Sequence, residues 1–216
     1  MHVEGVRSLG TFKTDQETFW EGDFGTDYID RNKGDDLLAS NIRFFAKALS
    51  SACGIGNVVE FGANIGMNLK ALKLLYPGLA CHGIEINAEA AAQLRDLIGK
   101  DNVTHSSILE TNHAACDLAL IKGVLIHLHP DVLPQVYEKL VAAAGRYLLV
   151  AEYYNPDPVA IPYRGHLDRL FKRDFAGEIM DQHPQMHLLD YGFAYRRDPV
   201  FPQDDITWFL LENKAS

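Results

Sequence analysis

Val58-Val59-Glu60-Phe61-Gly62-Ala63-Asn64-Ile65-Gly66-Met67-Asn68-Leu69-Lys70-Ala71-Leu72 decides the fold of this chain. A β-branched run ends in an acid, a glycine turn follows, and apolar residues then recur at helical spacing. The pattern predicts a strand that feeds a tight turn and a helix N-terminus. Gly62 and Gly66 permit backbone dihedrals, and a close approach of backbone to a ligand, that a Cβ forbids. The turn reads Glu-x-Gly-x-Asn-x-Gly rather than Gly-x-Gly-x-x-Gly. Outward from it, Cys81-His82-Gly83-Ile84-Glu85 is a second apolar run that again ends in an acid. An acid at the end of a second strand suits the diol of a ribose.

The turn and Glu85 together resemble the class I S-adenosylmethionine-dependent methyltransferases, whose first motif has this acid-and-glycine form. A dinucleotide needs its pyrophosphate over a helix N-terminus with three close glycines. Glu60 would repel a phosphate. S-adenosylmethionine has none, and Glu60 can hold its ammonium through bound water. The resemblance implies an α/β, Rossmann-like class I methyltransferase fold: a mostly parallel seven-stranded sheet, an antiparallel terminal hairpin and helices on both faces. It implies S-adenosyl-L-methionine as cofactor and no metal. The plainer alternative is an ordinary βα turn with a solvated acid.

The chain has 216 residues, the size of one α/β domain with a modest extension. A formal net charge of −9 argues against nonspecific nucleic-acid binding, which needs a basic surface. No long apolar span is present, so no membrane partner is expected. Met1-His2-Val3-Glu4-Gly5-Val6-Arg7 carries no apolar signal-peptide core, which points to the cytoplasm. Cys53, Cys81 and Cys116 are odd in number and far apart, so they are expected to be buried free thiols rather than a disulfide framework or zinc site.

Residues 1–34 are polar with aromatic punctuation and three glycines, and read as a loop or broken helical lid; residues 35–216 form the globular domain. Asp35 or Asp36 is expected to cap a helix that runs to about Gly54. Strands are expected near 57–61, 80–85, 102–105, 117–121 and 146–151, with helices between them, one over 88–98 and another over 131–144. His129-Pro130 reads as a helix start capped by Asp131. Met186–Arg196 and Asp205–Glu212 read as the two terminal strands, with Trp208 as a core residue. Continuously apolar strands alternating with helices predict a parallel sheet covered on both faces.

Ligands of such sheets collect beyond the C-terminal ends of the strands. That rule nominates Glu60, Gly62, Ala63, Asn64, Gly66 and Asn68 after the first strand, and Glu85, Ile86 and Asn87 after the second. It nominates Ser106, Ser107 and Ile108 after the third, where the methyltransferase resemblance implies adenine contacts, and Lys122, Gly123 and Val124 after the fourth. From the N-terminal segment, Trp20, Tyr28, Arg31 and Asn32 are candidates to cover the cofactor.

For an acid–base role the candidates are His127, Glu152 and His166. His127 has the alternative of holding its loop by a hydrogen bond. The stretch 152–178 is longer than a connection needs and is rich in cations and tyrosines. It supplies the acceptor-binding candidates Tyr153, Tyr154, Asn155, Tyr163, Arg164, Arg169, Lys172 and Arg173, with guanidinium forks suited to carboxylate or phosphate. The alternative is a solvated charged helix in which Asp168, Asp174 and Glu178 pair with those cations. Asp204-Asp205 either faces the pocket or caps a turn.

Longer strings carry a finer resemblance. Phe19-Trp20-x-Gly22-x-Phe24-Gly25, Arg31-Asn32, the stretch from Gly62 to Leu72, and Gly83-Ile84-Glu85-Ile86-Asn87 are similar to the pseudaminic acid biosynthesis-associated methylase family. So are Lys122-Gly123-Val124-Leu125-Ile126-His127, Glu152-Tyr153-Tyr154-Asn155-Pro156, Tyr163-Arg164-Gly165-His166, the run from Phe171 to Glu178, and the run from Pro202 to Phe209. The resemblance implies a methyltransferase acting on an oxygen or nitrogen of an acidic small molecule, a sugar or sugar nucleotide of nonulosonic acid or surface-glycan metabolism. A methyltransferase for another carboxylate or amino metabolite, and a cofactor-binding scaffold without turnover, are the competing expectations.

Overall fold

The computed structural model describes residues 14–29, 33–162 and 170–215, except the side chains of Asp27 and Tyr28. Strands β1 (Asn57–Phe61), β2 (Ala80–Glu85), β3 (Val103–His105), β4 (Cys116–Lys122) and β5 (Ala144–Glu152) are parallel to one another. A two-residue hairpin, β6 (Val159–Ala160) and β7 (Phe171–Lys172), stands apart from them. The long strands β8 (Met186–Ala194) and β9 (Ile206–Asn213) complete one seven-stranded sheet of order β3-β2-β1-β4-β5-β9-β8. β9 runs antiparallel to both its neighbours, β5 and β8. This is the expected α/β plan of a parallel sheet with an antiparallel terminal hairpin.

The helices are α1 (Asp15–Glu21), α2 (Asp23–Ile29), α3 (Asp35–Ala48), α4 (Met67–Leu75), α5 (Ala88–Ile98), α6 (Leu133–Ala143) and α7 (Phe175–Gln182). Strand side chains alternate between two cores, as the two-residue period of a pleated strand requires. Val59, Phe61, Ala119, Ile121, Leu148, Val150 and Leu211 face α6 and α7, where they meet Leu133, Tyr137, Leu140, Phe175 and Ile179. Val58, Leu118, Leu120, Leu149, Trp208 and Leu210 face the other way and meet Phe44, Phe45, Leu69, Leu72, Leu94 and Ile98 of α3, α4 and α5. Burying each of these large side chains contributes about 1.5–3 kcal/mol before chain entropy is set against it. Trp208 is the core residue its periodicity predicts, at 2% exposure.

Several local expectations are narrowed or corrected. Of the two forms expected for the N-terminal segment, the described residues take the broken helical one, two short helices of which α1 is started by a reciprocal capping box between Thr14 and Glu17. α3 begins after Gly34 with no side-chain cap, so neither Asp35 nor Asp36 plays that part, although both suit the positive end of the helix. Asp131 does not cap α6. The His129 ring accepts from the Asp131 amide to start a single 3-10 turn, and α6 follows from Leu133. Among the described residues after β5, the small hairpin is followed by α7, which Asp174 caps rather than pairing with a cation there. Cys81 is buried and Cys116 half-buried, but Cys53 is exposed.

Candidate active site

The β1–α4 turn is built by its own sequence. Gly62 (φ 76°), Asn64 (φ 48°) and Gly66 (φ 84°) all take positive φ. Asn64 tolerates this because its Oδ1 accepts from the Ile65 amide at 2.7 Å. Gly66 has a second reason to be glycine: a Cβ there would stand 2.6 Å from Leu94 Cδ1 and 2.7 Å from Leu97 Cδ2. The Gly62 and Ala63 amides both donate to the Ile84 carbonyl, at 2.9 and 3.0 Å. The turn is thereby locked to the end of β2, where Glu85 stands.

Glu85 accepts from the Asn64 amide through Oε2 (2.7 Å) and from the Asn87 amide through Oε1 (2.8 Å). It is 8% exposed, and burial raises its carboxyl above the ordinary range against the pull of those amides. Each oxygen keeps acceptor capacity for a ligand hydroxyl. Asn87 Oδ1 caps α5 by accepting from Glu89 and Ala90, while its Nδ2 donates to the Glu21 carbonyl at 3.1 Å and to Thr26 Oγ1 at 3.2 Å. The N-terminal helices are held a second time by Ser107, whose hydroxyl donates to buried Glu17. Trp20 then lies against His127, ring centroids 4.7 Å apart.

Behind the other half of the site lies a buried ionisable cluster on the adjacent ends of β1, β4 and β5. Asn68 Nδ2 donates to Glu60 Oε1 at 2.6 Å, and Glu60 Oε2 is buried without a partner. Burial pushes Glu60 up to about 8, opposed by Asn68 and by the charge of Lys122. Glu152 Oε1 accepts from the Val124 and Leu125 amides, both at 2.9 Å, and burial raises its carboxyl to about 7. Lys122 is lowered by desolvation, offset by Glu60, Asp204 and Glu152, and its ammonium lies 5.4 Å from the centre of the Phe44 ring.

These elements enclose a cavity of about 720 Å³ at the C-terminal edge of the parallel strands. Of the residues singled out from sequence, Trp20, Gly62, Ala63, Asn64, Asn68, Glu85, Ile86 and Asn87 line it. Ser107, Ile108, Lys122, Gly123, Val124, His127 and Tyr153 do so as well. Glu60, Gly66, Ser106 and Glu152 do not line it; Glu60 and Glu152 stand behind the lining and hold Asn68 and the Val124 loop. Tyr28's side chain, Arg31, Asn32, Tyr163, Arg164, His166 and Arg169 lie outside the described residues.

The rest of the expected acceptor group is elsewhere. Tyr154 is exposed, Asn155 donates to the Asp157 carbonyl, and Lys172 packs over the Tyr153 ring. Arg173 is paired with Glu178 at 2.7 Å, and Glu178 also accepts from Tyr137 at 2.7 Å. Among the described residues of 152–178, Tyr153 lines the cavity, and further wall comes from Leu37 and Asn41 of α3 and from Arg196, Pro202, Gln203, Asp204 and Ile206 around the β8–β9 connection. Gln16 and Glu17 add to the opposite side. Both readings of the acid pair apply: Asp204 lines the cavity, whereas Asp205 accepts from the Arg196 amide and pairs with its guanidinium at 3.3 Å. Among the described residues no group of three or more His, Cys, Asp or Glu side chains is placed to hold a metal, and no helix is long and apolar enough to cross a membrane.

No known family profile matches the chain, and no curated protein matches it in sequence. Solved structures do match its shape. Mitomycin 7-O-methyltransferase is 17% identical with a TM-score of 0.65 over 93% of this chain, which spans 61% of that enzyme. Magnesium protoporphyrin IX methyltransferase from Synechocystis, solved with bound S-adenosylmethionine, is 14% identical with a TM-score of 0.66 over 92–94% of this chain and all of its own. The 1,6-didemethyltoxoflavin N1-methyltransferase of Burkholderia thailandensis, solved with its substrate and S-adenosylhomocysteine, is 16% identical with a TM-score of 0.65, covering 97% of this chain and 98% of that one. At such identities the likeness speaks for the fold: this chain has the Rossmann-like fold of the class I S-adenosylmethionine-dependent methyltransferases.

Proposed function

We infer that the protein is an S-adenosylmethionine-dependent methyltransferase for a small acidic acceptor. The observation that carries this reading is Glu85, a buried acid opening into the cavity at the end of β2, directly beside the glycine turn. The cavity residues fit the cofactor's parts. Glu85 suits the ribose diol, Ile86 and Ile108 offer apolar surface to an adenine, and Ser107 stands beside them. Asn68, backed by Glu60, and Lys122 suit the amino-acid end, whose ammonium and carboxylate need an acid and a cation. A volume of about 720 Å³ leaves room for an acceptor as well.

S-adenosylmethionine supplies an electrophilic methyl group on a sulfonium. The chain's own contribution is alignment and exclusion of water, and alignment alone supplies roughly 7–11 kcal/mol in well-oriented systems. Trp20 roofs the site, and Glu152 fixes the Val124 loop from behind. For a hydroxyl acceptor, His127 is the base that takes the proton as the new O–C bond forms; Glu152, turned to backbone amides and away from the cavity, positions the loop instead. An acidic sugar or sugar nucleotide of nonulosonic acid or surface-glycan metabolism is the acceptor class that the quoted sequence strings support. Such a molecule fits a cytoplasmic enzyme.

Calorimetric titration with S-adenosylmethionine and S-adenosylhomocysteine, with Glu85→Ala in parallel, tests the reading. Micromolar binding that the substitution abolishes is expected. No binding to the wild-type protein, alone or with a metabolite extract present, would sink it.

A further inference from the structure

The cavity has a polar wall to which nothing has yet assigned a ligand. Asn41 on α3 is 2% exposed and Gln203, just before β9, is 9% exposed, yet both line the cavity. Their carboxamides meet at 2.9 Å, Gln203 Nε2 donating to Asn41 Oδ1. That bond uses one polar atom of each carboxamide. The buried side-chain polar atoms without partners among the described residues are Glu60 Oε2, Glu152 Oε2 and His183 Nε2. Gln203 Oε1 and Asn41 Nδ2 are not among them and have no other hydrogen bond, so they open into the cavity. If both amides were turned about, the pair would still present one oxygen and one NH2 group to the cavity.

An acceptor site and a donor site on two side chains joined by that hydrogen bond, in a half-dry wall, suit a ligand edge that can give and take at neighbouring atoms. Two vicinal hydroxyls do this: one O–H donates to the amide oxygen, and the other oxygen accepts from the NH2. A trans amide points its N–H and C=O in opposite directions and cannot satisfy both. An apolar ligand would bury both amide groups unpaired, at roughly 1–3 kcal/mol each. Lys122 flanks this wall, its ammonium lying over Phe44, one helical turn beyond Asn41. Arg196 stands at the rim with a side chain 70% exposed; its Nε is paired with Asp205 at 3.3 Å, which leaves its terminal NH2 groups to meet an anionic group at the ligand's outer end.

We propose that Asn41 and Gln203 form the acceptor subsite, reading a vicinal diol of a polyhydroxylated acceptor whose anionic end lies toward Arg196. The proposal rests on the methyltransferase reading above and assigns the diol-reading part of the acceptor site to α3 and the β8–β9 connection. Its chemistry is recognition only; the pair takes no part in proton transfer.

The test uses the full chain, isotopically labelled and saturated with S-adenosylhomocysteine, with N-acetylneuraminic acid as a polyhydroxylated acidic probe and glutarate as an acid without hydroxyls. Side-chain amide signals of Asn41 and Gln203 should shift with the sugar acid and stay still with glutarate. Asn41→Leu and Gln203→Leu should each weaken the sugar acid about tenfold, as expected for a lost hydrogen bond to a buried polar group, with affinity for S-adenosylhomocysteine unchanged. Wild-type spectra in which those amides do not respond to the sugar acid overturn the subsite without recourse to any variant. Variants that lose S-adenosylhomocysteine in step with the sugar also overturn it, because the pair then belongs to the cofactor. Failure of the wild type to bind S-adenosylhomocysteine at all removes the methyltransferase reading itself, and the subsite with it.

Discussion

Asn87 Nδ2 lies 3.1 Å from the Glu21 carbonyl oxygen, while Oδ1 of the same side chain accepts from the Glu89 and Ala90 amides. One residue therefore starts α5 and fastens the N-terminal helices over the cavity. The two tasks separate chemically. Asn87→Asp keeps an N-cap oxygen and adds a charge that suits the helix dipole, but it removes the donor and sets a carboxylate against the Glu21 carbonyl. The melting temperature of Asn87→Asp should stay near wild type while amide exchange across 15–29 quickens. Asn87→Ala should lose both functions, at about 1 kcal/mol for the cap alone. Unchanged exchange in Asn87→Asp would mean that the Ser107–Glu17 bond holds the helices unaided.

Glu152 offers a second separation. Its Oε1 serves the Val124 and Leu125 amides at 2.9 Å each, and it does not line the cavity. Glu152→Gln retains an oxygen for those amides and should keep methyl transfer within about tenfold, whereas loss of a general base costs about 10²–10⁴-fold. Glu152→Ala leaves two buried donors unpaired and should lower stability by roughly 1–3 kcal/mol per group, with cofactor affinity falling alongside. A rate collapse in Glu152→Gln with intact cofactor binding would restore the base role to Glu152.

The order of strands and helices was legible because β1, β2, β4 and β5 are mostly apolar runs ended by a polar residue or a turn. β1 and β2 fall at the residues expected, 57–61 and 80–85. The cavity residues that follow β1, β2, β3 and β4 were legible too, because the rule of strand C-terminal ends needs only the positions of those ends. The cavity wall around the β8–β9 connection was less legible, for a geometric reason. β9 is antiparallel, with Thr207 opposite Glu152 at the end of β5, so the residues entering β9 arrive at the same edge of the sheet as those leaving β5. Gln203 and Asp204 thus stand where a strand begins, and the rule searches only where strands end. Asn41 gave a weaker sign, a polar residue one turn after Leu37 on the inward side of α3. The cations of 172–173 were conspicuous in sequence, but Lys172 is packed on Tyr153 and Arg173 is spent on Glu178.

The thiols also divide. Cys53 is exposed at the end of the α3 region, whereas burial pushes Cys81 and Cys116 up to about 11. A thiolate is the reactive form, so those two are shielded both by packing and by protonation. Titration with a disulfide reagent near neutral pH should show one fast thiol, lost in Cys53→Ser, and two more after unfolding. Three thiols reacting together in the native protein would contradict the packing of Cys81 and Cys116.

Glu60 makes stability depend on pH in a specific direction. Its carboxyl is raised from 4.5 to about 8 by burial, so the folded chain holds a proton that the unfolded chain releases in between. The stability owed to that proton is complete below pH 4.5 and is lost as pH rises through about 8; Glu152, raised to about 7, adds to the loss over the lower part of the range. One such carboxyl changes stability by about 1.4 kcal/mol per pH unit inside its window, and each kcal/mol moves the melting temperature of a domain this size by about 2–4 °C. Without cofactor, wild-type melting should therefore fall steadily from about pH 5 to about pH 8. In Glu60→Gln, which keeps an acceptor for Asn68 and cannot ionise, the fall should be shallower by Glu60's share, leaving that of Glu152 and of Glu85, whose carboxyl burial also raises. Equal slopes in the two proteins would mean that Glu60 is already ionised in the fold, its charge carried by Lys122, and that burial does not govern this cluster.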